Sequence, residues 1–272
     1  MILHLQTVPS RNGLLWVRHG LKVLQRKPLA LVGLFGFFLL AGFLVMLLPA
    51  VGPLLLLASL PLVSLGFMLA THQVLQSQTP TVTVFVQPLQ LTPERRNTQL
   101  QLGLVYAVAT VLVMFLANWV DGGSFERLQD LMANASGPDD KAVEAALAEP
   151  RLLLGVLTRL GLAALLSVPF WHAPALVHWG GQGLMQALFS STLGVWRNKG
   201  AFLLSATAWA GLVFASSALV SLLLSLLGLG KVLPLLVMPL GMAISTAFYC
   251  SLYFTFIDCF MFGAPKDVLK AE

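Results

Sequence analysis

Charge is what this 272-residue chain has least of: 10% of its residues are charged, against roughly 25% in an ordinary soluble domain. A soluble fold of this length needs more charge to cover its surface. Cysteine is nearly absent too, with only Cys250 and Cys259. On one helix those two stand about 13 Å apart, too far for a disulfide. Motifs that carry chemistry are missing as well. There is no Walker-type loop, G-x-S-x-G, H-E-x-x-H, paired-Cys motif, or glycine fingerprint after a strand. No acids cluster inside the apolar runs, as they often do in proton pumps and cation-coupled carriers. No cofactor, no metal and no catalytic residue are therefore expected.

What is present is apolar: 57% of residues are hydrophobic and the mean hydropathy is +0.85. Long uncharged stretches of this kind are stable in hydrocarbon. The formal net charge of +5 does not point to nucleic acid, because the basic residues flank apolar spans and form no stripe on a soluble domain. The expected fold class is all-α. The chain is predicted to be a polytopic membrane protein of six transmembrane helices, with amphipathic interfacial helices before helices one and five.

Residues 1–28 carry Arg11, Arg18, Lys22, Arg26 and Lys27 and no acid. Leu14, Val17, Leu21 and Leu24 recur at helical spacing, with Ser10 as N-cap and Pro28 as the stop. This predicts a basic helix lying in the headgroup plane, anchored by Trp16 and facing anionic lipids. Residues 29–120 hold spans one to three, at 29–48, 54–70 (with Pro61 inside) and 102–120. The connection at 71–98 includes Thr81–Val86, which looks extended, and is expected to be interfacial. Residues 121–151 form an acidic loop with two short helices, one after Ser124 and one after Pro138, separated by 134–138. Residues 152–262 hold spans four to six, at 152–170, 201–227 and 232–257, with an amphipathic stretch at 183–195. A polar tail covers 263–272. The first apolar run is too long for a signal-peptide core and turns straight into a second span, so no cleavable signal is expected.

Orientation follows from Lys and Arg. With the N-terminus inside, eleven of the sixteen lie on inner segments and four on outer ones. That asymmetry predicts N-in, C-in, with the acidic loop in the periplasm.

Two parts of the chain share a pattern. Leu21–Lys27 precedes a span, a Pro/Gly turn and a span carrying Leu60-Pro61-Leu62. Leu193–Lys199 precedes a span, a turn at Gly230 and a span carrying Met238-Pro239-Leu240. Such a repeat would be parallel, with both units entering from one side. A basic lead-in to any helical hairpin would look the same, so duplication stays open here.

Single residues stand out against this background. Arg159 lies about 11 Å into span four, a depth at which a charge needs a partner or a water-filled cleft. Asp121 and Asn118 on span three are the two partners in reach. Arg159 either contacts a substrate or fixes packing. Asp258, at the inner end of span six, is either solvated, paired with Arg26 or Lys27, or a proton acceptor. His19, His72, His172 and His178 fall on one side, but none has the i, i+4 spacing of a helical metal pair. Small residues repeat on span five (Ala206/Ala210, Gly211/Ala215, Ser217/Ser221) and on span six (Gly241/Ser245, Ala247/Ser251). They serve packing within the bundle or against another subunit.

The Gly13–Pro28 lead-in, the Pro-containing second span and the Ala187–Lys199 stretch together resemble an uncharacterised family of proteobacterial polytopic inner-membrane proteins of unknown function. The resemblance implies an all-helical bacterial inner-membrane protein and carries over no catalytic residues. Two functional expectations follow. The first is a non-enzymatic accessory or interaction subunit, homo-oligomeric or bound to other membrane subunits. The alternative is a transporter or channel for a small or lipidic substrate with a site near Arg159. A membrane-embedded enzyme using the histidines or Asp258 ranks last.

Overall fold

The computed structural model describes residues 4–133, 140–228 and 233–260. Every regular element among them is helical. Helix α1 covers Asn12–Arg26, α2 Pro28–Met46, α3 Val51–Leu75, α4 Pro93–Asp121, α5 Ser124–Ala133 and α6 Asp140–Leu147. Then follow α7 Pro150–Phe170, α8 Ala173–Gly180, α9 Leu184–Arg197, α10 Lys199–Leu226 and α11 Leu233–Phe260. Six stretches are long and apolar enough to cross a membrane: α2, α3, α4, α7 with α8, α10, and α11. Proline opens α2, α4 and α7 at the first turn, where its missing N–H costs nothing and its fixed φ is already helical. The 134–138 break, the Gly230–Lys231 part of the second turn and the 263–272 tail lie outside the described residues.

The bundle is packed at one end and open at the other. In α3 nearly every residue from Leu65 to Leu75 is buried or half-buried, whereas Val51, Leu54 and Leu55 are exposed. In α11 every residue from Ala247 to Phe260 is buried or half-buried, but Leu235–Met238 are exposed. Helices α2 and α10 bury mainly their first turns, through Leu31, Leu34 and Phe35 and through Ala201, Ser205 and Trp209. The packed end therefore holds the starts of α2, α4 and α10 and the ends of α3, α8 and α11. Both termini of the described chain meet there, with Gln6 N–H donating to the Cys259 carbonyl (2.8 Å). With six such helices the described chain returns to the end of the bundle at which it began.

Two expectations change. Thr81–Val86 is not extended: Val82–Phe85 and Gln87–Leu89 are 3-10 turns. Without a neighbouring strand, β-branched residues gain nothing from extension. Burial decides instead, with Val84 fully enclosed and the Phe85 ring filling the notch at Gly66 on α3. Nor is Trp16 a surface anchor. It is fully buried, because α1 packs lengthwise against α10 and α11. Its buried face is Gly13, Trp16, Val17, Gly20 and Val23, and a Cβ on either glycine would strike neighbouring backbone, at Ala201 for Gly13 and at Ala247 for Gly20.

The small residues divide. Ser205, Ala247 and Ser251 receive α1. Ser217, Ser221, Gly241 and Ser245 instead line a gap of about 310 Å³ between the outer halves of α10 and α11.

Candidate functional site

The open end carries the cleft that sequence reasoning pointed to. Helix α4 ends at Asp121, and the chain turns through Gly122 and Gly123, whose φ values of 61° and 80° suit glycine. That turn folds back on the carboxylate, with Gly123 N–H donating to Asp121 Oδ1 (2.8 Å) and Ser124 Oγ donating to the Asp121 carbonyl (2.8 Å). Asp121 is fully buried. Its other oxygen, Oδ2, accepts from Arg159 Nη1 of α7 in an ion pair. Gly155, one turn before Arg159, makes room: a Cβ there would overlap Asp121. The guanidinium also lies 4.4 Å from the centre of the Phe125 ring on α5, a cation–π contact. Arg159 is thus fixed by a carboxylate and an aromatic face, yet its side chain keeps 22% of its exposure.

That remaining exposure opens into a cleft of about 630 Å³. Pro53, Leu54 and Leu57 of α3 form one wall, and Val111, Met114 and Phe115 of α4 another. The polar groups are few and convergent: Asn118, Glu126, Gln129 and Arg159. Apolar walls with a small polar cluster are what binds an amphipathic molecule. Of the two partners within reach of Arg159, the structure pairs it with Asp121, while Asn118 lines the cleft.

Asp258 lies elsewhere, at the packed end and partly buried. Its Oδ2 accepts from Trp16 Nε1 (2.7 Å) and Asn12 Nδ2 (3.0 Å) of α1. The carboxylate thereby fastens α1 to α11, near the positive end of the α1 dipole. His19 packs against Phe254 with the rings tilted and their centres 4.9 Å apart. Burial pushes its pKa below the ordinary histidine value, Asp258 opposes that shift, and Lys22 and Arg18 add to it. Of the basic residues on and flanking α1, Arg11, Arg18 and Arg26 are exposed and Lys22 and Lys27 half-buried.

Two further polar centres stand out, the first missed by sequence reasoning and the second built on one of the four histidines it singled out. Asn198, between α9 and α10, accepts from Val8 N–H (2.8 Å) and donates to the carbonyls of Gln6 and Gly194 (both 3.0 Å). It ties the N-terminal segment to the bundle. His172 sits at the start of α8, fully buried among Phe202, Phe256 and Phe260. Thr255 Oγ1 donates to the Leu252 carbonyl, so it accepts from Trp171 Nε1 (3.2 Å) and His172 Nε2 (3.1 Å). That places the imidazole proton on Nε2. His72 pairs with Tyr253 OH (2.9 Å) and Gln76 (3.0 Å). Among the described residues no group of three His, Cys, Asp or Glu is placed to hold a metal ion.

No family model matches the sequence, and no solved structure matches it. A probable inner membrane protein of Burkholderia thailandensis is 33% identical over 264 residues, covering 95% of this chain and 96% of that protein. Together with the six apolar helices, this relationship makes the chain a multi-pass inner-membrane protein. It belongs to the family of that probable inner membrane protein.

Proposed function

We propose that this protein is a non-enzymatic membrane component that binds an amphipathic, lipid-like molecule in the cleft at Arg159. One observation carries the reading: a guanidinium fixed by Asp121 and Phe125 presents its free edge to a cleft of about 630 Å³ whose walls are mainly apolar. A buried charge held by a partner and still facing a cavity is a binding contact for a polar headgroup, with the acyl part against α3 and α4. The side chains offered for catalysis have other work. Asp258 fastens α1 and His172 is enclosed by aromatic rings, which supports a non-enzyme. The reading includes an N-in, C-in orientation, supported by the basic asymmetry of the sequence. The cleft then opens toward the periplasm, and the exposed Arg11 and Arg18 face anionic headgroups of the cytoplasmic leaflet.

The test is native mass spectrometry of the full chain extracted from its own membrane. The wild type should retain a bound amphipathic molecule. Arg159→Gln combined with Asp121→Asn removes both charges without stranding one, and should lower occupancy about tenfold. An unchanged lipid complement in the double variant sinks the reading.

A second reading, an accessory subunit, is favoured by the gap between α10 and α11, whose small residues suit a partner's transmembrane helix. The particle mass in mild detergent tests it. A strictly monomeric, partner-free particle counts against it.

A further inference from the structure

Helix α9 is 14 residues long, about 21 Å, too short to span the roughly 30 Å hydrocarbon core. Its buried face is Ala187, Ser191 and Gly194. The opposite face exposes Met185 (75%), Phe189 (69%) and Trp196 (67%). This apolar stripe ends in cations. Lys199 Nζ lies 5.1 Å from the Trp196 ring centre, and Arg197 is exposed beside it.

A third cation arrives from the other end of the chain. Asn198 holds the segment through Gln6 and Val8, and Ser10 Oγ rests where a Cβ on Gly200 would stand, 2.5 Å away. The exposed Arg11 follows directly. Arg11, Arg197 and Lys199 thus gather where α1 and α10 begin, although nearly 190 residues separate the first from the others. No Asp or Glu occurs between Glu149 and Asp258, and Asp258 accepts from Asn12 and Trp16.

We propose that α9 is an in-plane anchor: it lays Met185, Phe189 and Trp196 into the acyl–headgroup boundary, and Arg11, Arg197 and Lys199 hold an anionic phospholipid headgroup there. An exposed apolar stripe bordered by cations and an amphipathic indole is the surface such a boundary accepts. The charge of the patch selects anionic over zwitterionic lipid. Neither statement depends on the Arg159 cleft.

The full chain in lipid nanodiscs tests this, with phosphatidylglycerol or phosphatidylcholine brominated near the headgroup as quencher. The Trp196 signal is the difference between wild type and Trp196→Phe. Brominated phosphatidylglycerol should quench it more than brominated phosphatidylcholine at equal mole fraction. Lys199→Gln and Arg197→Gln, both at exposed positions, should each lower that preference about fivefold, and Lys199→Arg should keep it. Equal quenching by the two lipids overturns the headgroup site, and no quenching by either overturns the anchor.

Discussion

Helices α1 and α9 each lead into a long apolar helix through a single joint residue, Lys27 for α1 and Asn198 for α9. They nevertheless bury opposite amounts of themselves. Helix α1 puts its tryptophan inside the bundle, whereas α9 leaves Trp196 outside. The difference lies in what each glycine meets. Gly13 and Gly20 bring α1 against the backbones of α10 and α11, while Gly194 of α9 meets the ring of Phe260. Backbone-to-backbone approach lets a helix sink into the groove between two others, because no side chain holds it off. A helix resting on an aromatic ring is kept at a distance and has an outer face to spare. Both helices are amphipathic, α1 the more strongly, but amphipathicity does not say what covers the apolar face.

If glycine is what seats α1, filling it should erase the contrast. Gly20→Leu places a side chain against the Ala247 carbonyl and Ser251, which neither helix can yield without moving. The expected loss is at the upper end of overpacking costs, about 3 kcal/mol or more. Thermal unfolding in detergent should show the largest drop of any single change proposed for this protein, and Trp16 should become accessible to aqueous quenchers. Gly194→Leu, the matching change in α9, meets side-chain atoms at the far edge of the Phe260 ring in place of backbone and should cost less. Comparable losses in the two variants would remove the distinction drawn from the glycines.

A smaller effect is expected at the polar fastening. Trp16→Phe keeps an aromatic ring in a fully buried place but deletes the indole N–H donor to Asp258 and some packed volume. A hydrogen bond to a charged group contributes about 1.5–3 kcal/mol, so the melting temperature should fall clearly but α1 should stay docked. Trp196→Phe should leave stability unchanged, because its indole N–H has no fastening role. Equal shifts in the two variants would mean that Trp16 contributes only apolar area.

The two lead-in helices also mark how far the sequence was legible. All six spans follow from apolar length, although the helix ends depart from the hydropathy boundaries: α3 runs past both of its own, α4 starts at Pro93 ahead of residue 102, and α2 stops at Met46 short of residue 48. The Arg159 pairing was visible because a charge in hydrocarbon demands a partner and few polar residues were in reach. The docking of α1 was not visible, because amphipathic pattern says how much surface is apolar and not what covers it. The Asn198 hub and the assembly of Arg11 with Lys199 need contacts across nearly the whole chain. Thr81–Val86 failed for a related reason: β propensity needs a neighbouring strand, and here Phe85 finds a helix instead.

The smallest effect should come from pH, and it too separates the lead-ins, since α9 carries no titratable group near neutrality. Burial against Phe254 holds the His19 pKa below its unfolded value of 6.5, with Lys22 and Arg18 adding to the shift and Asp258 opposing it. Above that value the imidazole is neutral in both folded and unfolded chains and contributes no pH dependence. As the pH falls through 6.5, the unfolded chain takes up the proton first, so stability declines until the lower folded pKa is passed. His19→Gln removes one titrating group and should make that decline shallower between about pH 5 and 7, while the other buried or half-buried histidines, His72, His172 and His178, still contribute. A wild-type curve that rises on acidification over that interval would mean that Asp258 outweighs burial at this position, and that α1 is held by an ion pair in place of a neutral contact.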